Sequence, residues 1–278
     1  MRYDNENVNT HYSFGKNWLR YSKLIEITNL DSVTLDLARL LQLSNLSNKT
    51  VLDVGCGSGI HDVGFYRLGC RNLTAIDYDL DSITATIQTL RKFCPNANYK
   101  IHQGDILSEN SKLLGKFDIV YSWGVLHHTG NLVEAIYRTA DLVSDDGLLA
   151  LAVYRKTLMC RFWKIEKRIY SKLPKIFQVF FEIIYISLFS IALLISKKIT
   201  IFSYIKSYSS KRGMNFFADV RDWLGGYPYE SISPQDLRKL LSELGFSPVY
   251  SLEGSSRLGI FGSGCDEFLF QKIDVKYP

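Results

Sequence analysis

Thr50-Val51-Leu52-Asp53-Val54-Gly55-Cys56-Gly57-Ser58-Gly59 is the stretch whose reading decides the fold. Its first five residues are β-branched or apolar around one acid, the composition of a short strand buried on both faces. Three glycines at alternate positions follow, where the chain must bend sharply and pass close to a ligand. A helix is predicted over about residues 59–68, with Gly69 as its stop. The turn amides and the helix N-terminus favour an anionic ligand group. A dinucleotide turn would place glycine at position 60, where this chain has Ile60, so a pyrophosphate ligand is disfavoured. A tight turn without a ligand is the alternative reading.

Working outward, strands are predicted at residues 72–76, 99–102, 117–123 and 147–153. Between them lie a helix capped by Asp79 or Asp81 and a helix opened by Asn131-x-x-Glu134. Strand and helix in strict succession predict a parallel sheet with right-handed crossovers and helices on both faces. Ser233-Pro234-Gln235-Asp236 starts a further helix, and residues 248–252 and 267–273 form two strands close enough to pair antiparallel across a loop holding Gly254, Gly259, Gly262 and Gly264. The predicted fold class is α/β: a Rossmann-like, doubly wound, seven-stranded sheet with five parallel strands, a C-terminal antiparallel hairpin and a helical insertion. Asp31 or Ser32 is the predicted cap of an upstream helix carrying Val33, Leu37, Leu40 and Leu41.

Ligand chemistry gathers at the strand ends. Asp77 closes the second strand, where a carboxylate can accept from both hydroxyls of a ribose. Asp105 closes the third, beside Ile106, an apolar residue able to flank a purine ring. Each acid alone reads more often as a cap or turn residue, but three successive strand ends on one edge of a sheet fit a ligand crevice.

Val51-Leu52-Asp53-Val54-Gly55-Cys56-Gly57-Ser58-Gly59, Ala75-Ile76-Asp77-Tyr78-Asp79, Gln103-Gly104-Asp105-Ile106 and the run from Phe117 to His128 resemble, in order and at family spacing, the motifs of class I S-adenosylmethionine-dependent methyltransferases. The segments Phe14-Gly15-Lys16-Asn17-Trp18 and Asp222-Trp223-Leu224-Gly225-Gly226-Tyr227-Pro228-Tyr229-Glu230 resemble a bacterial subgroup associated with small-molecule, lipid and glycan pathways. The resemblance implies S-adenosylmethionine as cofactor, with Gly55, Cys56, Gly57 and Gly59 around its methionine part and Asp53 near the amino group. It further implies Asp77 and Tyr78 at the ribose, Asp105 and Ile106 at the adenine, and Ser122, Trp123 and Gly124 as the floor beneath the sulfonium methyl.

A sulfonium is an activated methyl donor, so a base is needed only for a hydroxyl or protonated-amine acceptor. His127 and His128, after the fourth strand, are the candidate bases. A hydrogen-bonded loop residue beside a core residue is the alternative for the pair. Trp18 and Tyr12 are candidate lid residues, and Tyr154, Tyr227, Tyr229 and Glu230 candidate acceptor contacts, each with packing as its alternative role. The favoured function is methyl transfer to a small-molecule or lipid-linked acceptor, most readily at oxygen. The alternatives are a non-catalytic, membrane-associated binding or scaffold protein of the same fold and, more distantly, a nicotinamide-linked oxidoreductase.

Composition sharpens this. Thirty-three Lys and Arg against 28 Asp and Glu give a mild +5. Residues 155–212, however, hold thirteen basic side chains against Glu166 and Glu182, a local +11, which leaves the rest of the chain at −6. The basic stretch flanks an apolar run at residues 176–195. A bilayer-spanning helix is not expected, because the last strands must join the sheet begun upstream. A helical cap over the acceptor, a dimer-forming helix and a segment on an anionic membrane surface (residues 160–212) stay open. Five cysteines without C-x-x-C or nearby histidines predict neither disulfides nor a metal site. The polar N-terminus predicts no export by a signal peptide, hence a cytoplasmic protein, peripheral on the inner membrane face in the third reading. No Asn-Pro-Pro-Tyr-like element or stacking-spaced aromatics are present, so nucleic acid is not an expected partner. The predicted organisation is an N-terminal arm (1–48), a Rossmann-like core (49–154), the insertion (155–230) and a C-terminal completion of the core (231–278).

Overall fold

The computed structural model describes residues 14–212, 215–254 and 264–273, with side chains beyond position 208 of the first segment left aside. Tyr12, Gly259 and Gly262 lie outside the described residues.

β1 (Thr50–Val54) is an interior strand of the sheet. Its Val51 stands opposite Leu73 of β2 (Asn72–Asp77) on one side and opposite Ile119 of β4 (Phe117–Trp123) on the other, both parallel. With β3 (Tyr99–Gln103), β5 (Val143–Tyr154), β6 (Phe246–Leu252) and β7 (Cys265–Lys272), the order is β3-β2-β1-β4-β5-β7-β6. Strands β1–β5 are parallel and β7 runs antiparallel to both β5 and β6, as the sequence predicts. The chain winds outward from β1 through β2 to β3 and then returns to β4 on the other side. The turns after β1 and β4 therefore diverge and leave a crevice at their carboxyl ends.

α1 (Gly15–Ser22) and α2 (Ile27–Leu41) precede the sheet, and α3 (Ile60–Arg67), α4 (Leu80–Phe93) and α5 (Leu132–Asp141) are its crossovers. The insertion is all helical: α6 (Cys160–Lys172), α7 (Lys175–Lys197), α8 (Ile201–Arg212) and α9 (Phe216–Gly225), followed by α10 (Pro234–Glu243). Alternation along β1 and β4 serves two cores. Leu52 and Val120 face α5 and α10, whereas Val51, Ile119 and Tyr121 face α2 and α3.

Several strand boundaries shift by one or two residues, and two elements begin four or more residues before expectation. α2 begins at Ile27 because Glu26 and Asn29 cap it reciprocally, and Asp31 instead pairs with Arg67 at 2.6 Å. β5 begins at Val143, four residues early, because an irregularity in its pairing with β4 absorbs the polar Ser144–Asp146 stretch that reads as a turn. The expected caps hold elsewhere: Asp79 accepts from Asp81 N–H, Asn131 from Glu134 N–H and Ser233 from Asp236 N–H.

The insertion leaves and re-enters the sheet at one place. Ile232 N–H donates to Tyr154 O and Lys156 N–H to Ile232 O, zipping the two stems together. The Arg155 guanidinium grips the buried Asp266 carboxylate of β7 with two nitrogens, at 2.7 and 2.5 Å. Both ends of the excursion are thus fixed to one sheet.

Candidate functional site

A cleft of about 1540 Å³ opens above the carboxyl ends of β1, β2 and β4. Its floor is the glycine turn. Gly57 has φ +56°, and a Cβ there would stand 3.3 Å from the Trp18 indole, so α1 lays an aromatic wall on a turn that admits no side chain. Gly59, with φ +74°, is closed for another reason: a Cβ would meet the backbone of Thr86 in α4 at 2.7 Å. It packs helix against helix and does not line the cleft.

The turn is not the anion cradle that its glycines suggest. Gly55 and Cys56 N–H both donate to Ile76 O, Gly57 N–H to Asp77 Oδ2 at 3.0 Å and Gly59 N–H to Cys56 O. Four of the five amides are engaged within the fold, so shape rather than spare donors suits this floor to a ligand.

Asp77 is held beside it. Oδ2 accepts from Gly57 and Oδ1 accepts from Asp79 N–H at 2.9 Å, with the Ser82 side chain as a third donor, so the carboxylate keeps acceptor capacity for a donor from the cleft. Burial raises its carboxyl to about 6. Tyr78 and Asp105 line the same wall with exposed side chains, Asp105 fixed by Leu107 N–H at 2.8 Å, and Ile106 lies buried beneath it. Trp123, Gly124 and Cys56 also line the cleft. The residues present fit an adenosyl-bearing cofactor: a side-chain-free floor, a carboxylate with acceptor capacity one strand away, and an acid over an apolar residue at the next.

Asp53 and Ser122 stand elsewhere. Asp53 is buried behind the turn against Asp62 of α3, and burial pushes both acids upward, reinforced at Asp53 by the Asp62 carboxyl and at Asp62 by the charge of Asp77. Ser122 is wholly buried, its hydroxyl donating to Val54 O at 2.9 Å, and thus ties β4 to β1 below the floor.

The two histidines are unlike. His127 is wholly buried, and Tyr154 N–H donates to its Nδ1 at 3.3 Å, which places the ring proton on Nε2. Burial, reinforced by His128 and Lys167, keeps its pKa well below the ordinary range, and the Tyr154 ring lies 3.7 Å away. His128 is half-buried at the cleft, and its Nδ1–H donates to Pro228 O at 2.8 Å. A carbonyl only accepts, so the His128 lone pair is on Nε2, the form a general base requires.

Tyr154 lines the cleft; Tyr227 and Tyr229 are buried outside it, the Tyr229 hydroxyl on Cys160 Sγ at 3.4 Å. Glu230 reaches the cleft edge but accepts from Leu132 N–H at 2.7 Å, capping α5. The more telling residue is Asp222. Its Oδ1 accepts from Asn17 Nδ2 at 2.7 Å, so the segment around Asn17 and the segment opening at Asp222 meet, although 205 positions apart. Oδ2 is buried at the cleft without a partner among the described residues, and burial raises this carboxyl well above the usual range. The neighbouring Trp223 is backed by the buried Lys167, whose ammonium lies 3.6 Å from the ring centroid. His61 of α3 is also on the cleft, held neutral by burial with a pKa of about 4. None of these four was singled out by spacing: each is a single residue on a helix whose neighbours come from distant sequence.

Comparisons with known proteins agree with this geometry. A family profile described as a methyltransferase domain matches residues 30–251. The tRNA U34 carboxymethyltransferases of Shewanella pealeana and Enterobacter sp. strain 638 are each 32% identical to this chain, over 109 and 112 residues. Those stretches are 39% and 40% of this chain and only 32% and 34% of the relatives, so the match spans about one third of their length. Among solved structures, magnesium protoporphyrin IX methyltransferase from Synechocystis PCC 6803 with bound SAH aligns over 90% of this chain and 86% of its own, at TM-score 0.53 and 19% identity. The N-methyltransferase NodS of Bradyrhizobium japonicum WM9 in complex with S-adenosylhomocysteine aligns over 94% and 98%, at 0.51 and 15%. At such identities the shared property is the fold. With the family profile running through most of the chain over a sheet of this order, the chain belongs to the class I S-adenosylmethionine-dependent methyltransferases.

Proposed function

We propose that this methyltransferase acts on a hydroxyl of a small-molecule or lipid-linked acceptor, with His128 receiving the hydroxyl proton on Nε2. The observation that carries the reading is the asymmetry of the histidine pair: His127 is locked neutral in the core, and His128 sits at the cleft with Nδ1–H anchored on Pro228. A hydroxyl, which keeps its proton at neutral pH, calls for a base in that tautomer, whereas a neutral amine does not. Gly57, Asp77, Tyr78, Asp105 and Ile106 would hold S-adenosylmethionine, which supplies an activated methyl when bound. Ordering the acceptor oxygen at near-attack distance is then the main task of the chain, and positioning of this kind can supply roughly 7–11 kcal/mol. Trp18, Tyr154 and Trp223 supply apolar walls, and Asp222 is the polar anchor for the acceptor. The relatives named for tRNA share too short a segment with this chain to carry their acceptor over.

The test uses methyl-labelled S-adenosylmethionine with polar and lipid extracts, followed by NMR of the purified product. Label on oxygen in the wild type, lost in His128→Asn with cofactor affinity intact, supports the reading. Label on nitrogen or carbon, or full turnover by His128→Asn, removes it.

A further inference from the structure

α7 carries apolar residues around most of its circumference. Its most apolar 18-residue window has a mean hydropathy of 2.3, and 6% of that window is buried. One stripe, Phe181, Tyr185, Phe189 and Leu193, turns inward: Phe181, Tyr185 and Phe189 join the cluster around Phe216 and Tyr208, and Tyr185, Phe189 and Leu193 line the cleft. The rest, including Ile176, Phe180, Ile183, Ile184, Leu188 and Ile191, faces outward and is exposed. A helix on a water-facing surface carries a mostly polar outer side, whereas between its terminal lysines this one exposes only Ser187 and Ser196 among apolar residues.

α6 continues the same surface in a different pattern. Phe162, Ile165 and Ile169 are exposed at intervals of three and four residues, one helical stripe, and Leu158 is exposed in the turn before it. Beside them run Arg161, Lys164, Arg168 and Lys172, all exposed. Lys175 opens α7, and Lys197 and Lys198 close it. The two acids of this region turn inward: Glu182 takes Arg221 and the Tyr170 hydroxyl, and Glu166 is mostly buried beside Lys167. Every exposed charge on α6 and α7 is therefore positive.

We infer that the outer face of α6 and α7 docks on an anionic phospholipid surface, with α7 lying in the plane of the interface. An apolar stripe bordered by Lys and Arg is the composition of an interfacial helix. Charge selects among occupants. A second copy of the chain would bring basic flank against basic flank, whereas anionic headgroups complement them. Spanning is excluded by topology: at 23 residues α7 is about 34 Å long, but the stems at Tyr154 and Ile232 are bonded together and the chain beyond them completes one sheet. The inner stripe of α7 walls the cleft whose other end holds Asp77, so the helix separates the site from the lipid by its own thickness. That placement suits a lipid-linked acceptor and rests on the proposed function; the docking itself does not.

Flotation with vesicles of phosphatidylglycerol and phosphatidylcholine, against phosphatidylcholine alone, tests it on the whole chain. The wild type is expected to float with the anionic vesicles at low salt and to be released as salt rises. Phe180→Glu with Ile184→Glu, both at exposed positions off the cleft lining, lowers binding more than tenfold while calorimetric affinity for S-adenosylmethionine is unchanged. Lys172→Ala with Lys175→Ala lowers it by roughly thirtyfold at low salt, each basic residue contributing about fivefold near an anionic surface. Absence of flotation at low salt, or undiminished flotation of the double glutamate variant, overturns the inference. So does a sedimentation result in which the wild type is a dimer, that variant a monomer, and neither binds vesicles. Unchanged cofactor affinity beside lost flotation separates this failure from failure of the methyl-transfer reading.

Discussion

Along the sheet edge, residues 50–124, the cleft is built from groups already committed inside the fold: turn amides on Ile76 and Asp77, Asp105 on Leu107, Ser122 on Val54. Across from it, in the helices of residues 160–225, a long helix leaves most of its apolar side chains facing out. The first wall is pre-organised for a ligand of fixed shape, and its geometry belongs to the fold. The second leaves an apolar face outward, which on the inference above a lipid surface covers. The two are joined through α9, where Asn17 of α1 meets Asp222.

The largest effect expected of the first wall is catalytic. His128→Asn should lower kcat by about 10²–10⁴, the usual contribution of a positioned acid or base, with cofactor affinity little changed. His127→Asn should act instead through stability, read as a lower unfolding midpoint, because that ring is buried and stacked on Tyr154. Next is Asp77→Ala, which removes two hydrogen bonds to an ionised group and the anchor of Gly57; affinity measured by calorimetry should weaken by on the order of 10²-fold. Unchanged affinity would dissolve the comparison, since the cofactor would then be bound by the other wall.

Protonation provides a smaller probe. Asp77 in the free protein titrates near 6, and only its ionised form accepts from two hydroxyls. Affinity should be flat above that pH and fall by about tenfold per unit below it, because a proton must then be displaced on binding. Asp77→Asn should bind more weakly at neutral pH and lose the slope. The least expected effect is at Asp62. Burial raises both the Asp53 and the Asp62 folded-state values, so each carboxyl costs stability once pH exceeds its unfolded value near 4, and the cost grows through neutral pH. Asp62→Asn should therefore stabilise the protein by about 1–3 kcal/mol at pH 8 and by little at pH 4, measured by urea unfolding.

The parallel sheet, its C-terminal hairpin and the strand-end acids were legible because strand–helix alternation and the glycine turn are local signals. The burial direction of individual side chains was less so. Asp53 and Ser122 sit at strand ends where the cleft begins, but period-two alternation sends one behind the turn and the other beneath the floor. Tyr227 and Tyr229 follow the same logic in a segment that bends into the core. Asp222 was invisible as a site because its partner Asn17 lies at the other end of the chain. The basic, apolar insertion was plain in composition; that its acids turn inward, leaving one exposed sign of charge, needed the packing of α6, α7 and α9.

Hydrogen exchange on the whole chain tests the division between the two walls most directly, run once with S-adenosylhomocysteine and once with anionic vesicles. Two separate footprints are expected: ligand protection at residues 55–59, 77–79 and 103–107, and vesicle protection at residues 160–195. Ligand protection confined to the helices, or vesicle protection at the glycine turn with none on α7, would contradict it.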